Sequence, residues 1–155
     1  FSFGKVFNAT GWKVGYCVAA PELTAALRRV HQYVTFSVSS AVQWALADFL
    51  HEDPESADRF APFYAARRDR LLALLAGSRF RFTPSAGTYF QLLDYSAISE
   101  EGDVEFCGGL LERHGVAAIP VSHFCARPPA ARLLRLCFAK SDETLERAAE
   151  RLCRA

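Results

Sequence analysis

The chain has 155 residues, 51% hydrophobic and 23% charged, with a formal net charge of +1. That balance suits one globular domain or pieces of two, and it lacks the positive field that nucleic acid or an anionic membrane requires. No apolar run approaches the roughly 20 residues that span a bilayer and no signal peptide opens the chain, so a soluble, cytoplasmic protein is expected.

Gly11 to Ala20 is apolar, β-favouring, bracketed by glycine and ended by Pro21, which predicts a buried strand. Pro21 suits a first helical position, and Leu23, Ala26, Leu27, Val30 and His31 follow at helical spacing before a short turn-prone segment. Ser39 or Ser40 is a cap for a second helix, with Ala41, Val42, Ala45, Leu46, Phe49 and Leu50 on its apolar face. Asp53-Pro54-Glu55 reads as the start of the longest helix, running to Gly77 through a charged waist, Arg67 to Arg70, that suits either a bridge between domains or a solvated face.

Beyond Gly77, Phe80 to Phe82 and Thr88 to Leu93 alternate like strands, with Pro84 to Gly87 as the turn. A helix from about Val104 to His114 leads into a strand at Val116 to Ile119. Pro120 to Ala130 holds three prolines and reads as a loop, Leu133 to Ala139 as a strand, and Ser141 as the cap of a last helix. The class is α/β or α+β.

Five cysteines, Cys17, Cys107, Cys125, Cys137 and Cys153, are widely spaced in apolar contexts. They predict buried thiols in a reducing cytosol rather than disulfides or zinc. The four histidines show no metal-ligand spacing, so no metal site is expected. There is no methionine, and the first residues already belong to a functional-looking loop, which reads as a chain that begins part-way through something longer.

Ser2-Phe3-Gly4-Lys5, then Thr10-Gly11-Trp12-Lys13-Val14-Gly15-Tyr16, carries the strongest signal. With Val30 to Ser37 and Leu134 to Lys140, these segments resemble, in order, the C-terminal part of fold-type I aminotransferases dependent on pyridoxal 5'-phosphate (PLP). The resemblance is nearest to the branch of methionine and kynurenine–oxoglutarate aminotransferases. It implies an α/β fold, the end of the large α/β/α domain over 1–50, an inter-domain long helix over 51–77 and the small α+β domain over 78–155.

The resemblance makes Lys5 the Schiff-base lysine. A lysine amine tuned downward by desolvation and neighbouring charge can attack the cofactor aldehyde, and once displaced it can move the substrate α-proton. Ser2 and Lys13 resemble the phosphate ligands, a hydroxyl three residues before and a cation eight residues after that lysine. Relatives often carry arginine at the Lys13 position, and lysine there binds as a point charge.

Arg135 lies in an apolar strand-like run, where its charge would be costly without an anionic partner; the resemblance assigns it to the substrate α-carboxylate. Tyr33 and Phe36 are assigned to a substrate pocket shared across a homodimer interface, although Phe36 is as well suited to core packing. His123 and Phe124 are able to approach that pocket but are not assigned to it.

The glycine-containing phosphate loop, the ring-stacking aromatic, the asparagine and the aspartate that protonates the pyridine nitrogen are not found in the chain. The 155 residues are therefore expected to be the end of a longer enzyme and inactive alone. The implied activity is transamination between an amino acid with an apolar, aromatic or thioether side chain and a 2-oxo acid. Alternatives are another PLP reaction, such as a cysteine-S-conjugate β-lyase, and a non-catalytic aminotransferase-like regulatory domain.

Overall fold

The computed structural model describes residues 1–127 and 129–155, and the chain divides into two compact units, Phe1–Phe60 and Ala61–Ala155. Pro128, one of the three prolines of the expected loop, lies outside the described residues. Among the described residues no helix is long and apolar enough to cross a membrane.

The first unit carries helices α1 (Phe3–Val6), α2 (Pro21–Val34) and α3 (Ser40–Glu52), with a 3-10 turn at Thr10–Trp12. The strand expected over Gly11 to Ala20 is reduced to a single antiparallel bridge between Ser2 and Gly15. A strand needs backbone beside it to satisfy its N–H and C=O groups, and among the described residues only the Phe1–Phe3 segment pairs with this run. Pro21 starts α2 as expected, but the helix runs to Val34 and buries none of its residues. Ser39 stands at the start of α3 without accepting a capping hydrogen bond.

The expected helix start at Asp53 is a correction. The Asp53 amide bonds the Phe49 carbonyl at 2.9 Å and so ends α3, while its carboxylate pairs with Arg59. Residues 54–59 are turns, and the next helix, α4, spans Phe60–Leu75. Within the first unit the burial is sparse, and a run of aromatic contacts, Phe3 to Tyr16 at 5.2 Å, Phe3 to Phe7 at 6.0 Å and Phe7 to Phe49 at 5.1 Å, ties α1 to its neighbours.

The second unit is a three-stranded antiparallel sheet, β1 (Phe90–Asp94), β2 (Ile119–Pro120) and β3 (Leu133–Cys137), in the order β1-β3-β2. The strand expected over Phe80 to Phe82 forms one bridge, Arg81 to Asp94. The strand expected over Val116 to Ile119 shifts to Ile119–Pro120, and the loop after it opens with a 3-10 turn, Val121–Phe124. Proline fits β2 because an edge strand need not donate on its outer side.

Alternation then decides the faces. Leu93, Leu134 and Leu136 are buried on the core side with Gln91, while Phe90, Leu92, Arg135, Cys137 and Ile119 lie on the other. Buried Gln91 is satisfied: its amide donates to the Thr83 and Leu92 carbonyls at 2.9 and 2.8 Å and accepts from the Ser85 amide, which shapes the turn expected over Pro84 to Gly87.

Helices α5 (Asp103–His114) and α6 (Asp142–Leu152) complete the core with Phe106, Leu110, Leu145 and Leu152. Gly115 takes a left-handed φ of 63° to end α5, and Ser141 caps α6 by accepting from the Thr144 amide at 3.3 Å. The charged waist of α4 is used within this unit. Arg67 bonds Asp142 at 2.9 Å, Arg70 pairs with Glu146, and Arg68 donates to the Ser85 carbonyl at 2.7 Å.

All five cysteines are free, but only Cys107 is buried; Cys17, Cys125 and Cys153 are exposed, which corrects the expectation of buried thiols. Apolar sequence neighbours do not bury a thiol that points away from the core.

Candidate active site

Lys5 is held on the short helix α1 by the amides of Lys5 and Val6, which both bond the Ser2 carbonyl at 3.1 Å. The Phe3 amide bonds the Val14 carbonyl at 3.1 Å and the Tyr16 amide bonds the Phe1 carbonyl at 2.9 Å. This antiparallel register returns Lys13 alongside the first turn of α1. Two glycines permit the approach. Gly4 is buried, and a Cβ there would stand 3.0 Å from both the Ala9 oxygen and the Thr10 Cα; a Cβ at Gly15 would overlap the Phe1 carbonyl oxygen.

Lys13 has φ 55°, a left-handed conformation uncommon for lysine that ends the 3-10 turn and sets the direction of its side chain. The Ser2 hydroxyl makes no capping bond, and among the described residues no acidic side chain pairs with Lys5 or Lys13. One unengaged hydroxyl and two unengaged ammonium groups, carried within twelve residues on a segment folded back by the Ser2–Gly15 bridge, have a chemistry that suits a phosphate dianion and an aldehyde. The residues present therefore fit PLP. A separate apolar hollow of about 460 Å³, lined by Phe7, Trp12, Leu46 and Phe49 among others, includes none of the three.

Tyr33 and Phe36 stand at the end of α2, 84% and 80% exposed, so Phe36 is not packed in the core. Phe36 has φ 65°, a strained backbone for an aromatic residue, with its amide bonded to the His31 carbonyl at 2.8 Å.

Arg135 sits on β3 in the second unit, opposite Leu92 on one side and Ile119 on the other. Its guanidinium carbon lies 4.0 Å from the centroid of the Phe90 ring and 4.4 Å from that of Phe124. Nε is buried without a hydrogen-bond partner, and among the described residues no carboxylate pairs with the side chain. A half-buried guanidinium satisfied by rings rather than by an acid keeps its charge available to an incoming anion.

Sequence reasoning missed Phe90 and left Phe124 unassigned. Phe90 was findable, since period-2 alternation puts it on the Arg135 face; Phe124 lies in a turn with no periodicity to use. The turn is fixed from α5: Asp103 accepts from the Ser122 amide and hydroxyl, both at 2.7 Å. Partial burial works against ionised Asp103, yet these bonds and nearby His123 hold its carboxyl below the ordinary carboxylate range.

Residues 1–152 match the family model of aminotransferase class I and II. A methionine aminotransferase of Escherichia coli is 55% identical over 97% of this chain, and a kynurenine–oxoglutarate transaminase of Dictyostelium discoideum 34% identical over 97%. Among solved structures, one from Escherichia coli identified as having methionine aminotransferase function superposes with a TM-score of 0.91, at 54% identity over 99% of this chain and 41% of that one. An N-succinyldiaminopimelate aminotransferase of Mycobacterium tuberculosis superposes with a TM-score of 0.83, at 40% identity over 99% of this chain and 40% of that one. These superpositions bear out the α/β fold expected from the motifs. The chain spans 39% and 40% of the length of the two curated relatives.

Proposed function

Because this chain belongs to the aminotransferase class I and II family, we propose that it serves PLP-dependent transamination between an amino acid with an apolar, aromatic or thioether side chain and a 2-oxo acid. The observation that carries the reading is the unengaged set of Ser2, Lys5 and Lys13 around α1. The substrate class draws on the name of the 55% identical Escherichia coli relative.

When bound, the cofactor supplies an aldehyde that a lysine can hold and an electron sink for the substrate α-carbon. Lys5 would hold that aldehyde covalently, and its free amine would carry the proton from the substrate α-carbon to the cofactor, so one side chain would both hold and catalyse. The Ser2 hydroxyl would donate a hydrogen bond to the phosphate and the Lys13 ammonium would offset part of its charge. Arg135 would bind the α-carboxylate of amino and oxo acid alike through paired hydrogen bonds. Residues 1–50 close the larger cofactor-binding domain and 78–155 form the smaller one; the ring's remaining contacts are not assigned to residues of this chain.

Tyr33 and Phe36 line the substrate pocket of a neighbouring subunit in a homodimer. The exposed apolar residues of α2, Leu23, Leu27, Val30, Tyr33 and Val34, support that reading, because a monomer surface seldom leaves so many together. A cytoplasmic location accords with five free cysteines.

The experiment is an amino-transfer assay on the intact protein loaded with PLP, with methionine as donor and a 2-oxo acid as acceptor. Lys5→Ala should lower turnover by at least about 10²-fold, as removal of an essential base does. Undiminished turnover in that variant, or elimination without amino transfer in the wild type, would overturn the proposal.

A further inference from the structure

We propose that Phe124 is a positioning residue for Arg135: with Phe90 it fixes the plane of the guanidinium, and the hydrogen bonds of Asp103 to Ser122 hold the turn that carries it. The proposal rests on the reading of Arg135 as the carboxylate-binding residue and adds what aims it.

An arginine on a strand has a long stem with several rotatable bonds, and a carboxylate is bound by two parallel hydrogen bonds only when it meets the guanidinium in its plane. The two rings against Arg135 come from separate elements, Phe90 from β1 and Phe124 from the 3-10 turn, at 4.0 and 4.4 Å. Two independent aromatic contacts restrict rotation of the plane far more than one. With Nε buried and unpartnered, donation falls to the terminal nitrogens.

Phe124 is itself 62% exposed, so core packing does not account for a phenylalanine there. Its place depends on the latch two residues earlier, where both oxygens of Asp103, the first residue of α5, are taken by Ser122 at 2.7 Å. A 3-10 turn held by one carboxylate on two donors is a rigid mount for an exposed ring.

The test compares Phe124→Leu, which keeps apolar bulk without a π face, with Phe124→Tyr, which keeps the ring, and Asp103→Asn, which weakens the latch. In the intact protein loaded with PLP, KM is measured for alanine and for methionine, with kcat and the inhibition constant of 3-phenylpropionate as a bare carboxylate. Phe124→Leu should raise both KM values and the inhibition constant by about the same factor, roughly 3- to 30-fold, the range that a cation–π contact spans. Its thermal midpoint should stay near wild type, Phe124→Tyr should restore binding to within about twofold, and Asp103→Asn should give a smaller rise of the same kind.

A rise confined to methionine would mean that Phe124 touches the substrate side chain and would overturn the proposal, as would unchanged binding in Phe124→Leu. Arg135→Lys separates the two levels. If it leaves KM and inhibitor binding unchanged, the carboxylate reading fails; if it weakens both while Phe124→Leu does not, only the positioning role fails.

Discussion

Ser2 bridges Gly15 across an antiparallel pair, and the approach is so close that a Cβ on Gly15 would overlap the carbonyl oxygen of Phe1. What is proposed for Ser2, Lys5 and Lys13 follows from that closeness, because the same pair returns Lys13 towards the helix that bears Lys5.

Gly15→Ala therefore has to push the two segments apart. Overpacking of this kind costs about 1–3 kcal/mol. The displacement should weaken phosphate binding more than it weakens the fold. Titration of the intact protein with PLP, alongside its thermal midpoint, should show affinity falling while the second unit's unfolding stays in place.

The second unit depends on its sheet. Leu134 is fully buried at the centre of β3, paired with Leu93 and Pro120. Leu134→Ala should destabilise this unit by about 2–5 kcal/mol. Urea unfolding followed by far-ultraviolet circular dichroism should show a lower midpoint at an unchanged slope.

The cysteines should separate by reactivity. Burial, followed by the nearby Asp103 charge, pushes the Cys107 thiol up to about 11, whereas Cys17, Cys125 and Cys153 are exposed. At pH 8 iodoacetamide should modify the exposed three and leave Cys107 intact until denaturant is added. Mass spectrometry of the digested protein reads this directly, and early labelling of Cys107 would contradict the placement.

Asp103 predicts an acid limb. Its folded-state carboxyl lies below the ordinary 3.8, so its stabilising contribution is complete above that value and is lost as pH falls through the lowered one. Wild type should thus lose stability below about pH 4 more steeply than Asp103→Asn, which has no charge to lose there. Between pH 5 and 8 the difference in midpoint between the two should be flat.

Much of this was legible in the residues. Ser141 marked the start of α6, the helical run to His114 ahead of Gly115 marked α5, and the apolar strand-like run around Arg135 marked β3. Local chemistry decides those features. What was not legible depended on distant partners. Gly11 to Ala20 has strand composition, but strand formation needs neighbouring backbone, which among the described residues only Phe1–Phe3 provides. Asp53 looked like a helix start until Arg59 took its carboxylate. Phe124 gave no periodic signal, because a turn residue's contact with Arg135 is set by the bond of neighbouring Ser122 to Asp103 on a separate helix.

The most direct test of the account is borohydride reduction of the intact protein incubated with PLP, followed by digestion and mass spectrometry. Wild type should carry a stable pyridoxyl adduct on Lys5, prevented by prior addition of excess amino acid, with none on Lys13. An adduct on another lysine, or saturable PLP binding with Lys5 unmodified, would contradict it.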